Sequence, residues 1–264
     1  EVKFAAPKTF GTQNRAVIAS DYAAIVRNIY PAVGDIIVFG GEEQVPPEYG
    51  KVFISVKPRD SAYLTSLTKS NIVTELKKYS VASVEPVLID PSILYVELSS
   101  KIFYDGSKTD KAPSRISAKA ISTFQSYVER SETEKFNGKF RHSKAVSVID
   151  DSSKAITSNL TSVTMRKDFY PQLNSTSYYE ICFQNQFDKD CDDPVLTSTG
   201  FRVTEYPNFD VYLEDRSGKI VLYRLDTVTG EKVVLDSDIG DIDYVNGELK
   251  MYALTIIKGT YFDN

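Results

Sequence analysis

Apolar positions set the first elements of the chain. Tyr22, Ile25, Val26 and Ile29 recur at i, i+3, i+4 and i+7, which places them on one face of a helix. Ser20 is the expected N-cap, Asp21 puts negative charge in the first turn where the helix dipole favours it, and Pro31 ends the helix. The pattern then switches from helical to extended. Ile36 to Phe39 and Val52 to Val56 read as strands on either side of a Gly-, Glu- and Pro-rich loop. In the second strand Val52, Ile54 and Val56 share one face, opposite Phe53, Ser55 and Lys57. A second helix starts between Thr65 and Thr68 and packs through Ile72, Val73, Leu76 and Tyr79. Val84 to Ile89 and Ile93 to Phe103 are extended again, broken at Asp90-Pro91.

Helix–strand–strand–helix–strand with short connections builds an antiparallel sheet most economically, with both helices on one face. A third helix runs from Ser114 to about Arg130 through Ile116, Ala120, Phe124, Tyr127 and Val128, and Ser143 to Asp150 adds a short helical stretch. From about Ser158 the helical period is lost and Thr, Ser, Tyr, Phe and Val alternate with turn residues. Asn246-Gly247 reads as a type I′ hairpin turn, and Ser217-Gly218 and Thr229-Gly230 mark two more turns. The expected class is α+β: a helix-strand-strand-helix-strand sandwich over residues 1–110, a helical connecting region over 111–156 and a mainly β domain over 157–264.

Composition narrows the function classes. The chain has 264 residues, enough to bury a sizeable core without disulfides, and 42% of them are hydrophobic. A net charge of −5 gives no broad basic field for a phosphate backbone, so no nucleic-acid partner is expected. No apolar run approaches the roughly 20 residues needed to span a bilayer, so no membrane partner is expected either. The opening Glu1-Val2-Lys3-Phe4 lacks an initiator methionine and a signal-peptide core, as in a fragment or a processed piece. Two cysteines, Cys182 and Cys191, read as free thiols in a reducing compartment.

Candidate chemistry is sparse. The single histidine, His142, stands beside Ser143 in Phe140-Arg141-His142-Ser143, where adjacent side chains rarely meet in triad geometry, so a polar surface histidine is expected. Asp188, Asp190, Asp192 and Asp193 resemble the start of a calcium loop. Positions six and twelve of that loop would be Asp193 and Thr199 where glycine and glutamate are required, and a solvated loop is expected instead. Gly40-Gly41-Glu42-Glu43 lacks the Lys-Ser/Thr of a phosphate loop and reads as a turn. The pairs Glu42/Glu43 and Asp150/Asp151 are mere sequence neighbours, and Phe53 alone does not make an RNA-binding strand. Catalytic, cofactor-binding and metal-ligating residues are therefore expected to be none, with no small-molecule substrate.

Thr12 to Val26, TQNRAVIASDYAAIV, carries Asn14, Arg15, Ala16 and Val17, a short gap, then Ser20, Asp21 and Tyr22. That pattern resembles the baseplate J-like family of contractile phage tails and, more narrowly, the C-terminal portion of baseplate wedge subunits of T-even-type bacteriophages. Pro46 to Pro58, Lys135 to Lys167 and Gly240 to Tyr252 continue the resemblance in order. The resemblance implies an architectural role, with no catalytic residues. The implied location is the virion tail baseplate, assembled in the host cytoplasm. The implied partners are other baseplate wedge proteins and a second copy in a homodimer. Within the motif, Arg15 and Asp21 either fix the approach to the first helix or touch a partner. The rival classes are a secreted carbohydrate-binding or adhesive β module, which a Cys182–Cys191 disulfide would favour, and a hydrolase, which would need a deep pocket of convergent titratable groups. The tyrosine-rich region after about Thr157 is expected to supply more subunit contacts than Ser20 to Phe103.

Overall fold

The computed structural model describes residues 15–44, 46–81, 83–189 and 194–260. It is mixed α and β, with a mostly β C-terminal region. The chain divides into two compact units, Glu1–Arg166 and Lys167–Asn264.

Among the described residues, the first unit runs through helix α1 (Ala19–Ile29), strands β1 (Val33–Gly40) and β2 (Lys51–Pro58), helix α2 (Ser66–Leu76) and strand β3 (Glu85–Ile89). Ser20 lies inside α1 rather than at its cap. The capping group is the Asp21 carboxylate, which reaches back to accept from the backbone N–H of Ile18 at 3.1 Å and of Val17 at 3.2 Å. One side chain thus satisfies the N-cap N–H and the N–H of the residue before it. At α2 the expected start holds: Thr65 is the N-cap and its hydroxyl accepts from Thr68 N–H.

The three strands are ordered β1-β2-β3. β1 and β2 are antiparallel, with Val38 opposite Ile54, but β3 runs parallel to β2, with Leu88 opposite Ile54. The antiparallel expectation is corrected here, because α2 carries the chain back along the sheet and makes β2–α2–β3 a crossover. Tyr22, Ile25 and Val26 of α1, Ile72 and Leu76 of α2, and Ile54 and Val56 of β2 bury into one core cluster. The i, i+3, i+4 face of α1 and the Val52–Ile54–Val56 face of β2 are the faces that meet.

Strand β4 (Tyr95–Tyr104) does not join that sheet. It pairs with β5 (Ile156–Arg166) in a long antiparallel ribbon running from Tyr95 opposite Arg166 to Tyr104 opposite Ile156. Between them come helices α3 (Pro113–Arg130) and α4 (His142–Asp150), which bury Ile116, Ala120, Ala145 and Ile149. The strand at the head of the β-rich half of the sequence, β5, therefore belongs to the first unit.

The second unit holds β6 (Thr176–Cys182), β7 (Phe201–Val203), β8 (Tyr206–Arg216), β9 (Lys219–Leu225), β10 (Lys232–Asp243) and β11 (Glu248–Lys258). Their order is β10-β9-β8-β7-β11-β6, and a further pairing of β10 with β11 closes the first five into a small barrel. Val211, Leu213, Ile220, Leu222, Ile242, Leu249, Met251, Leu254 and Ile256 are buried there. Closure between β10 and β11 runs only over Gly240 to Asp243, and β6 remains as the flanking strand.

The type I′ expectation at Asn246-Gly247 is corrected. The strands end at Asp243 and Glu248, leaving a four-residue loop in which only Gly247 has positive φ. The Asp243 carboxylate organises it by accepting from the backbone N–H of Val245 and Asn246. The two-residue turn with both central residues at positive φ is Ser217-Gly218, which joins Arg216 to Lys219.

Candidate assembly surfaces

None of the sequence-level sites comes together as reactive machinery among the described residues. His142 opens α4, is exposed, and lies with Nε2 3.0 Å from the carbonyl oxygen of Thr161. Asp150 accepts from the Asn159 side chain at 2.8 Å, and the same amide donates to the Val146 carbonyl, so both groups lace α4 onto β5. Gly41–Glu43 is a short 3₁₀ turn that follows β1 directly. Gly41 is needed there because a Cβ would collide with the Glu48 carbonyl. Asp188 is exposed, while Asp190, Cys191, Asp192 and Asp193 lie outside the described residues, as does Asn14. Cys182 is a free thiol near Glu248. No group of three or more His, Cys, Asp or Glu among the described residues is placed to hold a metal. No described helix is long and apolar enough to cross a membrane.

The resemblance motif resolves in favour of a local role for Asp21. Its carboxylate fixes the entry to α1, while Arg15 is exposed at the start of the described chain. Ala16 is fully buried and bridges to Ser80 in parallel, with its N–H donating to the Tyr79 carbonyl at 2.8 Å. Ala16 is thus pinned beside the end of α2.

What the first unit presents outward is edge and face. In the described fold β4 and β5 pair with each other alone, leaving the outer edge of each strand without a neighbour in its sheet. On the ribbon, Leu160 is 69% exposed and Phe103 45%. Lys101 lies over the Phe103 ring, and Arg166 both stacks on Tyr95 and pairs with Glu97 at 2.9 Å. Polar flanks of this kind keep a long exposed ribbon from pairing indiscriminately. Val17 and Ile18, exposed just ahead of α1, add a second apolar spot.

The second unit differs in charge. Lys167–Asn264 carries 9 Lys and Arg against 18 Asp and Glu, a formal net of −9, while Glu1–Arg166 carries 22 against 18, a net of +4. A chain-wide −5 conceals this split. Counting charge by segment would have found it. Several of these charges are held in place. Lys219 lies between Asp238 at 3.1 Å and Asp241 at 2.8 Å, and these hydrogen bonds raise its pKa above the ordinary lysine value. Asp241 is lowered in turn by Lys219 and by the Tyr252 hydroxyl, which donates to it at 2.7 Å. Burial pushes the Glu214 carboxyl up, but hydrogen bonds from Lys232 and Arg216 outweigh it and the net shift is downward. β6, the flanking strand, carries Tyr178 at 78% exposure.

The family model of baseplate structural protein gp6, C-terminal domain I, matches residues 18–89, and that of gp6 C-terminal domain III matches residues 92–168. Residues 18–89 and 92–168 are thus similar to successive C-terminal domains of a structural baseplate protein. The first match holds α1, β1, β2, α2 and β3, and the second holds the β4–β5 ribbon with α3 and α4. The boundary between the matches falls where the three-stranded sheet ends and the ribbon begins. The baseplate wedge protein gp6 of Enterobacteria phage T4 is 26% identical over 157 residues, 60% of this chain and 23% of that protein. The chain thus spans about a quarter of that relative's length. The matched family is described as a structural protein, and both family matches end by residue 168, so the barrel lies beyond them.

Proposed function

We propose that this chain is an architectural element of a baseplate wedge in a contractile phage tail, acting in assembly through protein–protein contacts. The observation that carries this reading is the ordered pair of gp6 domain matches, whose boundary coincides with a boundary in the fold. Its place is the virion tail baseplate, and its partners are other baseplate wedge proteins. Kinship with the wider baseplate J-like family belongs to the same reading. So does the layout of residues 18–89 as a sandwich with α1 and α2 on one face of the sheet, supported by their common core.

Two copies pair about a two-fold axis, the commonest closed arrangement for a homo-oligomer, through an interface of at least about 1,000 Å². The role is architectural rather than catalytic: the His142 ring is engaged by a strand carbonyl and the Asp150 carboxylate by Asn159 of β5. The region after Thr157 supplies the larger share of contacts, through exposed groups such as Leu160, Tyr170 and Tyr178. A test is an epitope inserted after Val228, a 91% exposed loop residue. Electron microscopy of labelled virions should show label confined to the tail baseplate, and label on the head or along the tail tube would refute the assignment.

A further inference from the structure

We propose that the open seam of the barrel in Lys167–Asn264 is a docking pocket for a basic side chain, lysine or arginine, presented by an extended segment of a neighbouring protein. The proposal goes beyond the gp6 reading, because both family matches end by residue 168 and the pocket lies wholly in the following unit.

The seam is a consequence of register. β10 pairs with β9 at Asp236 opposite Leu222 and again at Gly240 opposite Ile220, so Ser237, Asp238 and Ile239 bulge out of the ladder. On its other side β10 pairs with β11 only from Gly240 opposite Met251 to Asp243 opposite Glu248. β6 pairs with β11 all along, from Glu248 to Thr255, while past Met251 β11 pairs with β7 at Ile256 and Lys258 instead of with β10, leaving the earlier part of β10 without a described strand on that side. A cavity of about 200 Å³ opens in the gap. Leu222, Leu254 and Ile239 give it an apolar wall, and Glu205, Tyr206, Asp236, Asp238 and Tyr252 complete its lining.

The chemistry of this lining selects the occupant. The nearby charges, Glu205, Asp236, Asp238 and Asp241 against Lys219, sum to −3, within a unit of formal net charge −9. A compact metal ion does not fit, since no described cluster of carboxylates converges closely enough to ligate one. A long side chain with an aliphatic stem and a cationic tip fits both halves of the site: the stem lies on the leucines and the tip among the carboxylates. The unpaired stretch of β10 beside the cavity offers backbone donors and acceptors to an extended segment, which would set the basic residue in register with the pocket. Lys219 remains tied to Asp238 and Asp241, so it fixes the rim while Glu205 and Asp236 meet the incoming cation.

The test uses the full chain and three synthetic peptides, Thr-Val-Thr-X-Thr-Val-Thr with X as Arg, norleucine or Glu. Binding is followed by amide chemical shifts. The Arg peptide should move the resonances of Glu205, Tyr206, Ile239 and Ala253 and bind at least about tenfold more tightly than the norleucine peptide, with the Glu peptide weakest. Affinity should fall as salt is raised from 50 to 500 mM. The pair Glu205→Gln and Asp236→Asn should abolish the preference for Arg while leaving the rest of the spectrum in place. Equal binding of the Arg and norleucine peptides, or shifts confined to other surfaces, overturns the proposal. Shifts caused by self-association of the chain, seen without peptide and dependent on protein concentration, would also overturn it by assigning the seam to a second copy.

Discussion

Replacing Tyr244 by Phe should destabilise the barrel strongly, although it removes a single oxygen. The Tyr244 hydroxyl donates to Asp215 Oδ2 at 2.7 Å and accepts from Gly218 N–H at 3.1 Å. Asp215 is 4% exposed, and its other oxygen accepts from Leu196 N–H at 2.6 Å. Without the hydroxyl, a buried carboxylate loses one of its two donors and a turn amide loses its acceptor. A hydrogen bond to a charged group contributes about 1.5–3 kcal/mol, and leaving a partner unsatisfied adds to that, so the expected loss is about 2–4 kcal/mol. Native-state hydrogen exchange at the amides of Leu213 and Leu222, on the central strands, reads the opening free energy of this unit directly. Tyr252→Phe is the matched control. Its hydroxyl also reaches an aspartate, Asp241, but that pair is exposed and screened by solvent, so the expected loss is far smaller. Equal effects of the two substitutions would refute the reasoning that burial sets the cost.

Ile54→Ala, at a fully buried position between α1, α2 and the sheet, should cost about 2–5 kcal/mol in denaturant unfolding of the first unit. Asp21→Ala removes the α1 cap and should cost about 1 kcal/mol by the same measurement, with Ser20→Ala near neutral. Gly247→Ala should destabilise the barrel more than Gly230→Ala: both residues have positive φ, but a Cβ at 247 would also collide with the Asn185 carbonyl while one at 230 meets open space. Asp243 and Asp241 have folded-state pKa values depressed below the unfolded value, Asp243 chiefly by the Asn246 backbone N–H and Asp241 chiefly by Lys219. Their stabilisation is therefore fully present above the unfolded carboxylate pKa, near 4, and lost as pH falls through the folded pKa. An NMR titration should show the Asn246 amide holding its shift down to about pH 4 and moving only below it.

Periodic elements were legible in the sequence because their burial is local. The α1 stripe, the Val52–Ile54–Val56 face and the start of α2 each follow from spacing within one segment. The partners of strands were not. β4 follows β3 after a short break, yet its ladder is with β5, across α3 and α4, and nothing in the spacing of Tyr95–Tyr104 announces that distant pairing. The direction of β3 was misjudged for a related reason, since α2 could have returned the chain either way. Turn chemistry misled once: Asn246-Gly247 is a strong hairpin signal, but the Asp243 carboxylate captures the loop amides and widens it, while the tight turn falls at the less typical Ser217-Gly218. The barrel seam had no sequence signature, because it arises from a register shift in β10. The acidic character of its unit was countable all along.

The claim that this is an assembling baseplate component is tested most directly by sedimentation velocity of the purified chain with the neighbouring wedge proteins of its own phage. A complex that sediments faster than any single protein, at micromolar concentration and physiological salt, is the predicted result. Independent sedimentation of every protein up to tens of micromolar would contradict it.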